Sequence, residues 1–320
     1  MTDARDVPIL ILGYNRADRL REVVDALRPS QPRQIFLAID GPRQHDDADQ
    51  AKVRATQEVM HSIDWQAQVR SNFQTTNLGC GRGVSSGISW FFEHVNEGII
   101  LEDDVVPGSD FLTFCAELLE RYRDDERIFS ISGCNFAPLE AVSQSLASYR
   151  FSAITHVWGW ATWRRSWDLY RFSMEDWRSR LRGKRRWNAM GANVPGYVYW
   201  TAVFDWMRFG HIDTWDYQLS LAQMVTGGLT ATSNTNLTEN IGFSGESTHT
   251  NYTPPYVRPA EALSWPLTHP TVERDLAADR WVRRSILQST TSSMLGMARH
   301  NLLQRAATAS QPMRRLGQRS

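Results

Sequence analysis

Three consecutive carboxylates, Glu102-Asp103-Asp104, close the apolar run Ile99 to Leu101. Like charges at this spacing repel one another, so something cationic should compensate them. A hard divalent ion, Mn2+ or Mg2+, suits that need, because it takes oxygen ligands and is content with one or two carboxylates plus phosphate oxygens and water. The bland alternative is a solvent-facing acidic turn; a place at the end of an apolar strand, with hydrophobic residues on both sides, favours the ion. Two arginines stand where a guanidinium could reach phosphates. Arg16 follows the first apolar run, and Arg82 lies in Asn77-Leu-Gly-Cys-Gly-Arg-Gly83, ahead of a helical pattern. Either could equally be a surface arginine.

The elements that must position these groups can be read from periodicity. Pro8 to Leu12 is a short apolar run ending at Gly13, followed by helical spacing from Ala17 to Leu27. Ile35 to Ile39 is a second run, closed by the turn signal Asp40-Gly41-Pro42, and Ala51 to Ile63 reads as a helix. Gln68 to Ser71 predicts a third strand, Val84 to His94 a helix and Ile99 to Leu101 a further strand. A helix at Asp110 to Arg123 and a strand at Ile128 to Ser132 follow. Alternating strands and helices imply a parallel sheet, in which ligands bind beyond the carboxyl ends of the strands. Arg16, Asp40 and Glu102 to Asp104 would then face one crevice. Neither GxGxxG nor GxxxxGK[ST] occurs, so dinucleotide-fingerprint and P-loop readings fail on pattern.

The totals bound the partners. Among 320 residues, 35 basic side chains balance 35 acidic ones, so no global field draws the chain to nucleic acid, and any anionic ligand must be held locally. Cys80, Cys115 and Cys134, an odd number at wide spacing, fit neither a disulfide framework nor a zinc site, and a reducing compartment is the simplest setting. No signal-peptide pattern precedes the first strand and no run of about 18 apolar residues occurs, so the expectation is cytoplasmic. The sequons beginning at Asn236 and Asn251 then read as chance matches. Thirteen tryptophans are the oddity, suited either to core packing or to lining a sugar pocket. Arg178 to Arg186 reads as a solvated helix face. The stretch after about Pro254 turns basic and poor in aromatics. From Arg280 onward it carries arginines among scattered Leu, Ile and Met, which suits either a solvated tail or peripheral contact with the inner face of a membrane.

Several motifs occur in order: Pro8-Ile-Leu-Ile-Leu-Gly-Tyr-Asn-Arg16, Leu37-Ala-Ile-Asp-Gly41, Ile100-Leu-Glu-Asp-Asp-Val105 with Asp110-Phe-Leu, Arg127-Ile-Phe-Ser-Ile-Ser-Gly133, Gly159-Trp160 and Trp215-Asp216. Together they resemble the motif series of GT-A glycosyltransferases, above all the N-acetylglucosaminyltransferase I family and its bacterial relatives, over roughly residues 7 to 250. The resemblance implies an α/β, Rossmann-like GT-A fold with a mostly parallel sheet flanked by helices. Residues 1–255 would form the catalytic domain, divided into a nucleotide-sugar half (1–110) and an acceptor half (111–255), with 256–320 as a helical, basic tail. It further implies that Asp40 contacts the base, that Arg16 lies near the nucleotide, that Asp103 contacts the ribose, that Asp104 ligates the metal and that Glu102 lies near the transferred sugar. Asp216 matches the catalytic base of inverting members, and His249 a histidine that meets the diphosphate or metal.

The implied reaction takes a sugar from a nucleoside-diphosphate donor, a UDP-sugar by resemblance, to a hydroxyl of a glycan or a lipid-linked saccharide. Departure of the diphosphate develops charge that a cation must stabilise, and the acceptor proton needs a carboxylate elsewhere in the chain. Asp104 and Asp216 fit the two roles. A metal-dependent phosphohydrolase and a non-catalytic, tryptophan-lined carbohydrate receptor are the rivals.

Overall fold

The computed structural model describes residues 3–243 and 256–287 together with Gly296. Its first half alternates β1 (Ile9–Gly13), α1 (Ala17–Leu27), β2 (Gln34–Ile39), α2 (Asp47–Gln57), β3 (Gln68–Phe73), α3 (Gly79–His94) and β4 (Glu97–Glu102). The four strands are parallel in the order β3-β2-β1-β4, with Leu37 and Leu101 flanking Ile11. Their runs are apolar without alternation because both faces are covered. Ile9, Ile11, Ile35, Leu37, Ile99 and Leu101 pack with Leu20, Val23 and Val24 of α1. Leu10, Leu12, Phe36 and Ile100 point to the other side, onto Ile88, Phe91 and Phe92 of α3.

Beyond β4 come β5 (Val105–Pro107), α4 (Phe111–Arg121), β6 (Ile128–Ser132), β7 (Tyr149–Ser152), β8 (Trp160–Trp163), α5 (Arg164–Trp167), α6 (Trp177–Arg180), α7 (Gly183–Ala189), α8 (Val194–Arg208), α9 (Asp216–Thr226), β9 (Leu229–Ser233), β10 (Thr238–Asn240) and α10 (Leu276–Ser285). The eight-stranded sheet has the order β3-β2-β1-β4-β8-β6-β9-β7. β8 runs antiparallel to β4 and β6, and β7 antiparallel to β9, so the sheet is mostly parallel with two reversed strands. β5 and β10 form a separate antiparallel pair that brings residues 238–240 back beside the acidic triplet.

Two helix starts differ from the sequence reading. α3 begins at Gly79, five residues before Val84, because carboxylates from elsewhere receive its first N–H groups. α2 begins at Asp47, where the Asp46 side chain accepts from Asp49 N at 2.9 Å, and it ends at Gln57 in a 3-10 turn over Glu58–Ser62.

Six of the thirteen tryptophans are core residues. Trp160, Trp163, Trp167, Trp177, Trp200 and Trp215 are buried, and Trp160 stacks on Trp215 with ring centroids 5.7 Å apart. The part of the expected tail that is described, 256–287, lies against the domain. Asp110 accepts from Leu263 N at 3.0 Å and from Trp265 Nε1 at 2.8 Å, and Asp275 both caps α10 and accepts from Ser143 N at 2.7 Å. Asn236 of the first sequon is buried, its amide donating to the carbonyls of Thr238, Arg258 and Pro259. All three cysteines are free. No described helix is long and apolar enough to cross a membrane.

Candidate active site

The carboxyl ends of β1, β2, β3 and β4 open into a groove of about 1730 Å³, closed on its far side by residues 211–217, which lead from α8 into α9. Arg16, Asp40, Glu102, Asp103, Asp104 and Asp216 all line it. Chain topology explains the convergence: each of the first three follow-on segments leaves the same edge of a parallel sheet, and α9 packs its Leu219 and Ala222 onto the face that carries Leu12 and Ile100.

At the floor, Arg16 reaches across from the end of β1 to two members of the triplet. It forms an ion pair with Asp103 and places Nη1 3.0 Å from Asp104 Oδ2. Burial works against its charge, but the two carboxylates outweigh that and hold it more firmly protonated than an ordinary arginine. The carboxylates remain undercompensated. Burial, then repulsion from Asp104, Asp103 and Asp216, pushes Glu102 well above the ordinary carboxylate range. Asp103 is pushed up to about 6, since burial and Asp104 together outweigh Arg16. One guanidinium faces three clustered acids, and the excess negative charge asks for a further cation.

Asp104 is the member of the triplet best placed to meet one, being partly exposed at the groove while Asp103 is buried. The chain leaving β10 passes directly over it: Ile241 N donates to the Asp104 carbonyl at 2.8 Å, and a methyl group on Gly242 would come within 2.4 Å of Asp104 Oδ2. A side chain there would have to displace the Asp104 carboxylate. The donor set is hard carboxylate oxygen opening onto a cavity, which fits Mn2+ or Mg2+ completed by phosphate oxygens and water. Among the described residues no three His, Cys, Asp or Glu gather to hold an ion by themselves.

Asp216 is the first residue of α9 and lines the same groove, near enough to Glu102 to add to its repulsion. Thr214 Oγ1 donates to its Oδ1 at 2.6 Å, and burial raises its proton affinity above the ordinary range. Of the neighbouring acids, Asp205 points into the core, where it accepts from Trp177 Nε1 at 3.2 Å and pairs with Arg178 at 2.6 Å.

Asp40 lines the groove, but its oxygens are occupied. Gly41 N, Leu78 N, Gly79 N and the Asn77 side-chain amide donate to it at 2.8, 2.9, 3.1 and 3.1 Å. It therefore caps α3 and fixes Asn77, and Gly83 lets the helix come close, since a Cβ there would lie 3.0 Å from Asp40 Oδ2. Arg82 stands apart from the groove lining: it is exposed and stacks over the Phe172 ring at 4.5 Å. Arg82 is the fourth residue of α3, and its guanidinium is held by the Phe172 ring. His249 lies outside the described residues.

Further residues lie in the groove or directly behind it. Asp49 of α2 accepts from Tyr14 Oη at 2.5 Å and Asn15 Nδ2 at 2.6 Å, fixing the two residues before Arg16. Asp49 sits among Asp46 and Asp47, a composition that signals only a helix start. Arg21, Arg43 and Lys52 add cations to the lining. Cys80 also lines it, its thiol pushed up to about 12 by burial and by Glu102, Asp213 and Asp216. Asp213, a carboxylate near Asp216 in sequence, lines it too, but it accepts from the α3 backbone.

No protein-family model and no curated protein matches the chain. Among solved structures it is similar to the mannosyltransferase PcManGT from Pyrobaculum calidifontis, in complex with GDP-Man and Mn2+, at 17% identity and a TM-score of 0.34. The match covers 50% of this chain and 45% of that one, so it spans less than half of the length of that chain.

Proposed function

We propose that the chain is a GT-A-type glycosyltransferase that moves a sugar from a nucleoside-diphosphate donor to a hydroxyl of a glycan or lipid-linked saccharide, with inversion. The observation that carries the reading is the meeting of Arg16, the Glu102-Asp103-Asp104 triplet and Asp216 in one groove at the carboxyl ends of a parallel sheet. The named relative binds GDP-Man and Mn2+. The donor base of this chain follows from neither.

In this reading Asp104 holds Mn2+ or Mg2+, which when bound supplies charge stabilisation to the leaving diphosphate. Arg16 keeps Asp103 and Asp104 in position and offers its own charge to phosphate oxygens. Arg21, Arg43 and Lys52 line the same groove and favour an anionic ligand. Asp49 holds Tyr14 and Asn15 at the base-side wall, and Asp40 orients Asn77 there. Asp216 takes the proton from the acceptor hydroxyl as that oxygen attacks C1, and burial, which raises its proton affinity, makes it a better base than a solvated carboxylate. Glu102, facing Asp216 across the floor, borders the transferred sugar.

The test is a panel of UDP-, GDP- and dTDP-sugars with and without Mn2+, read by thermal shift and then by transfer. A cognate donor at roughly 100 times its dissociation constant adds about 2.7 kcal/mol of stability. Sugar release that is independent of an added acceptor would indicate a phosphohydrolase instead. Absence of metal-dependent stabilisation by every donor would remove the transferase reading.

A further inference from the structure

Away from the groove, the chain carries its charge unevenly. Between Asp176 and Asp205 there are six cations, Arg178, Arg180, Arg182, Lys184, Arg185 and Arg186, and no carboxylate, in a protein whose formal net charge is zero. Among the described residues, the ion pair they make is that of Arg178 with Asp205. Arg180 and Arg185 donate to the carbonyls of Leu169 and Thr226, and Arg186 is sandwiched between the rings of Trp177 and Tyr197 at 4.5 and 4.7 Å. Those contacts neutralise nothing. Residues 182–185, which open α7, are exposed throughout.

Apolar side chains stand exposed in the same place. Trp187, on α7, is 38% exposed and tilts against Tyr197 with ring centroids 5.8 Å apart, and Val194, which opens α8, is 57% exposed. An indole and a branched aliphatic group at the centre of a cationic patch gain nothing from water. They match the headgroup region of a bilayer, where Trp is favoured and Lys and Arg meet anionic phosphates.

A second acid-free stretch begins at the same spot. From Arg280 to Ser320 the chain has eight arginines and no Asp or Glu. Its first element, α10, docks on the end of α7: Arg283 Nη2 donates to the Ala189 carbonyl at 3.1 Å, and Leu287 packs with the cluster around Met190 and Trp200. Residues 288–320 carry five of those arginines.

We propose that this face, with Arg182, Lys184, Arg185, Trp187 and Val194 at its centre, is a docking surface for an anionic phospholipid bilayer. The partner is a lipid surface rather than a nucleic acid because the patch presents apolar side chains among its cations. The inference does not rest on the transferase reading.

The experiment is flotation of the full chain with phosphatidylcholine vesicles and with vesicles containing phosphatidylglycerol, at low and high salt. Binding is expected only to the anionic vesicles, weakening as salt rises. The variant R182Q/K184Q/R185Q should lose about 100-fold in partitioning, while R54Q/R70Q/R123Q, which removes as many charges elsewhere, should keep most of it. W187S should weaken binding while leaving its salt dependence intact, which keeps the proposal testable if the triple variant folds poorly. Equal flotation of parent and α7 variants, or equal binding to neutral vesicles, would overturn it. So would single-stranded RNA that binds more tightly than vesicles at the same salt and is insensitive to W187S. Donor affinity measured on the same variants should be unchanged, which separates this face from the groove.

Discussion

The Asp213 carboxylate accepts a hydrogen bond from Gly81 N at 3.0 Å, joining residues 132 apart in sequence. It ties the wall that carries Asp216 to the first turn of α3, and it has room only because Gly79 and Gly81 lack side chains: a Cβ at either would lie 2.6 Å from an Asp213 oxygen. At Gly81 the added methyl would also meet the Thr214 carbonyl at 2.8 Å, backbone that cannot swing away. Asp213→Ala should cost about 1 kcal/mol, as loss of a helix cap does. Gly81→Ala should cost more, about 1–3 kcal/mol, as overpacking does. The double variant should not recover, because the Thr214 carbonyl remains. Thermal melts of the three proteins decide this, and a double variant as stable as Asp213→Ala would show that the carboxylate alone makes the crowding.

Asp104→Asn should abolish the increase in donor affinity brought by Mn2+ while leaving the melting temperature equal or higher, since one of three clustered charges is gone. Titration calorimetry with and without the ion checks it. Donor binding that still depends fully on Mn2+ would move the ligand role to another residue.

Asp216→Asn should lower the rate of sugar transfer by about 10²–10⁴-fold, the usual contribution of a general base, with donor affinity nearly unchanged. Single-turnover transfer and donor titration are the two measurements needed. A loss confined to about 1 kcal/mol of stability, with transfer intact, would make Asp216 the first residue of a helix and nothing more.

His156 makes acid stability a further test. It is buried under the C-terminal segment, close to Arg150 and Asp279, with Nε2 3.4 Å from Ser152 Oγ. Burial first, and then Arg150, lowers its pKa from 6.5 to about 3. Between those values the unfolded chain binds a proton that the folded chain does not, so stability falls as pH falls through that window, by about 1.4 kcal/mol per pH unit for this one group. His156→Gln should therefore flatten the dependence of stability on pH between about 6 and 4 by up to one proton. Denaturant titrations across that range measure it; identical slopes in both proteins would place the acid sensitivity elsewhere.

Much of this arrangement was legible in the sequence. The apolar runs of β1, β2, β4 and β6 and the helical spacing of α1 announced themselves because each element's own pattern suffices. The same pattern put Arg16, Asp40 and the triplet at one sheet edge. What escaped notice depended on partners distant in the chain. The early start of α3 needs Asp40 and Asp213; the role of Asp49 needs Tyr14 and Asn15; the burial of Asn236 needs the carbonyls of residues 258 and 259. The tryptophans misled in one of their two readings because burial and ligand contact favour the same flat side chain. Arg82 sits in a loop-like glycine run that is helical from Gly79 onward, and its partner, the Phe172 ring, is ninety residues away in the chain.

The strand order has a consequence for synthesis. β1 to β4 form a contiguous parallel set complete by residue 102, whereas the strand that borders β4 on its other side, β8, arrives about sixty residues later, and β9, which pairs with β6, ends only at residue 233. At roughly 5–20 residues per second, the β1–β4 half is finished on the order of 10 s before the sheet can close. During that interval Ile99, Ile100 and Leu101 offer an open apolar edge to any neighbouring chain. Crowded expression of this protein should thus be limited by the nascent half-sheet rather than by the stability of the finished fold.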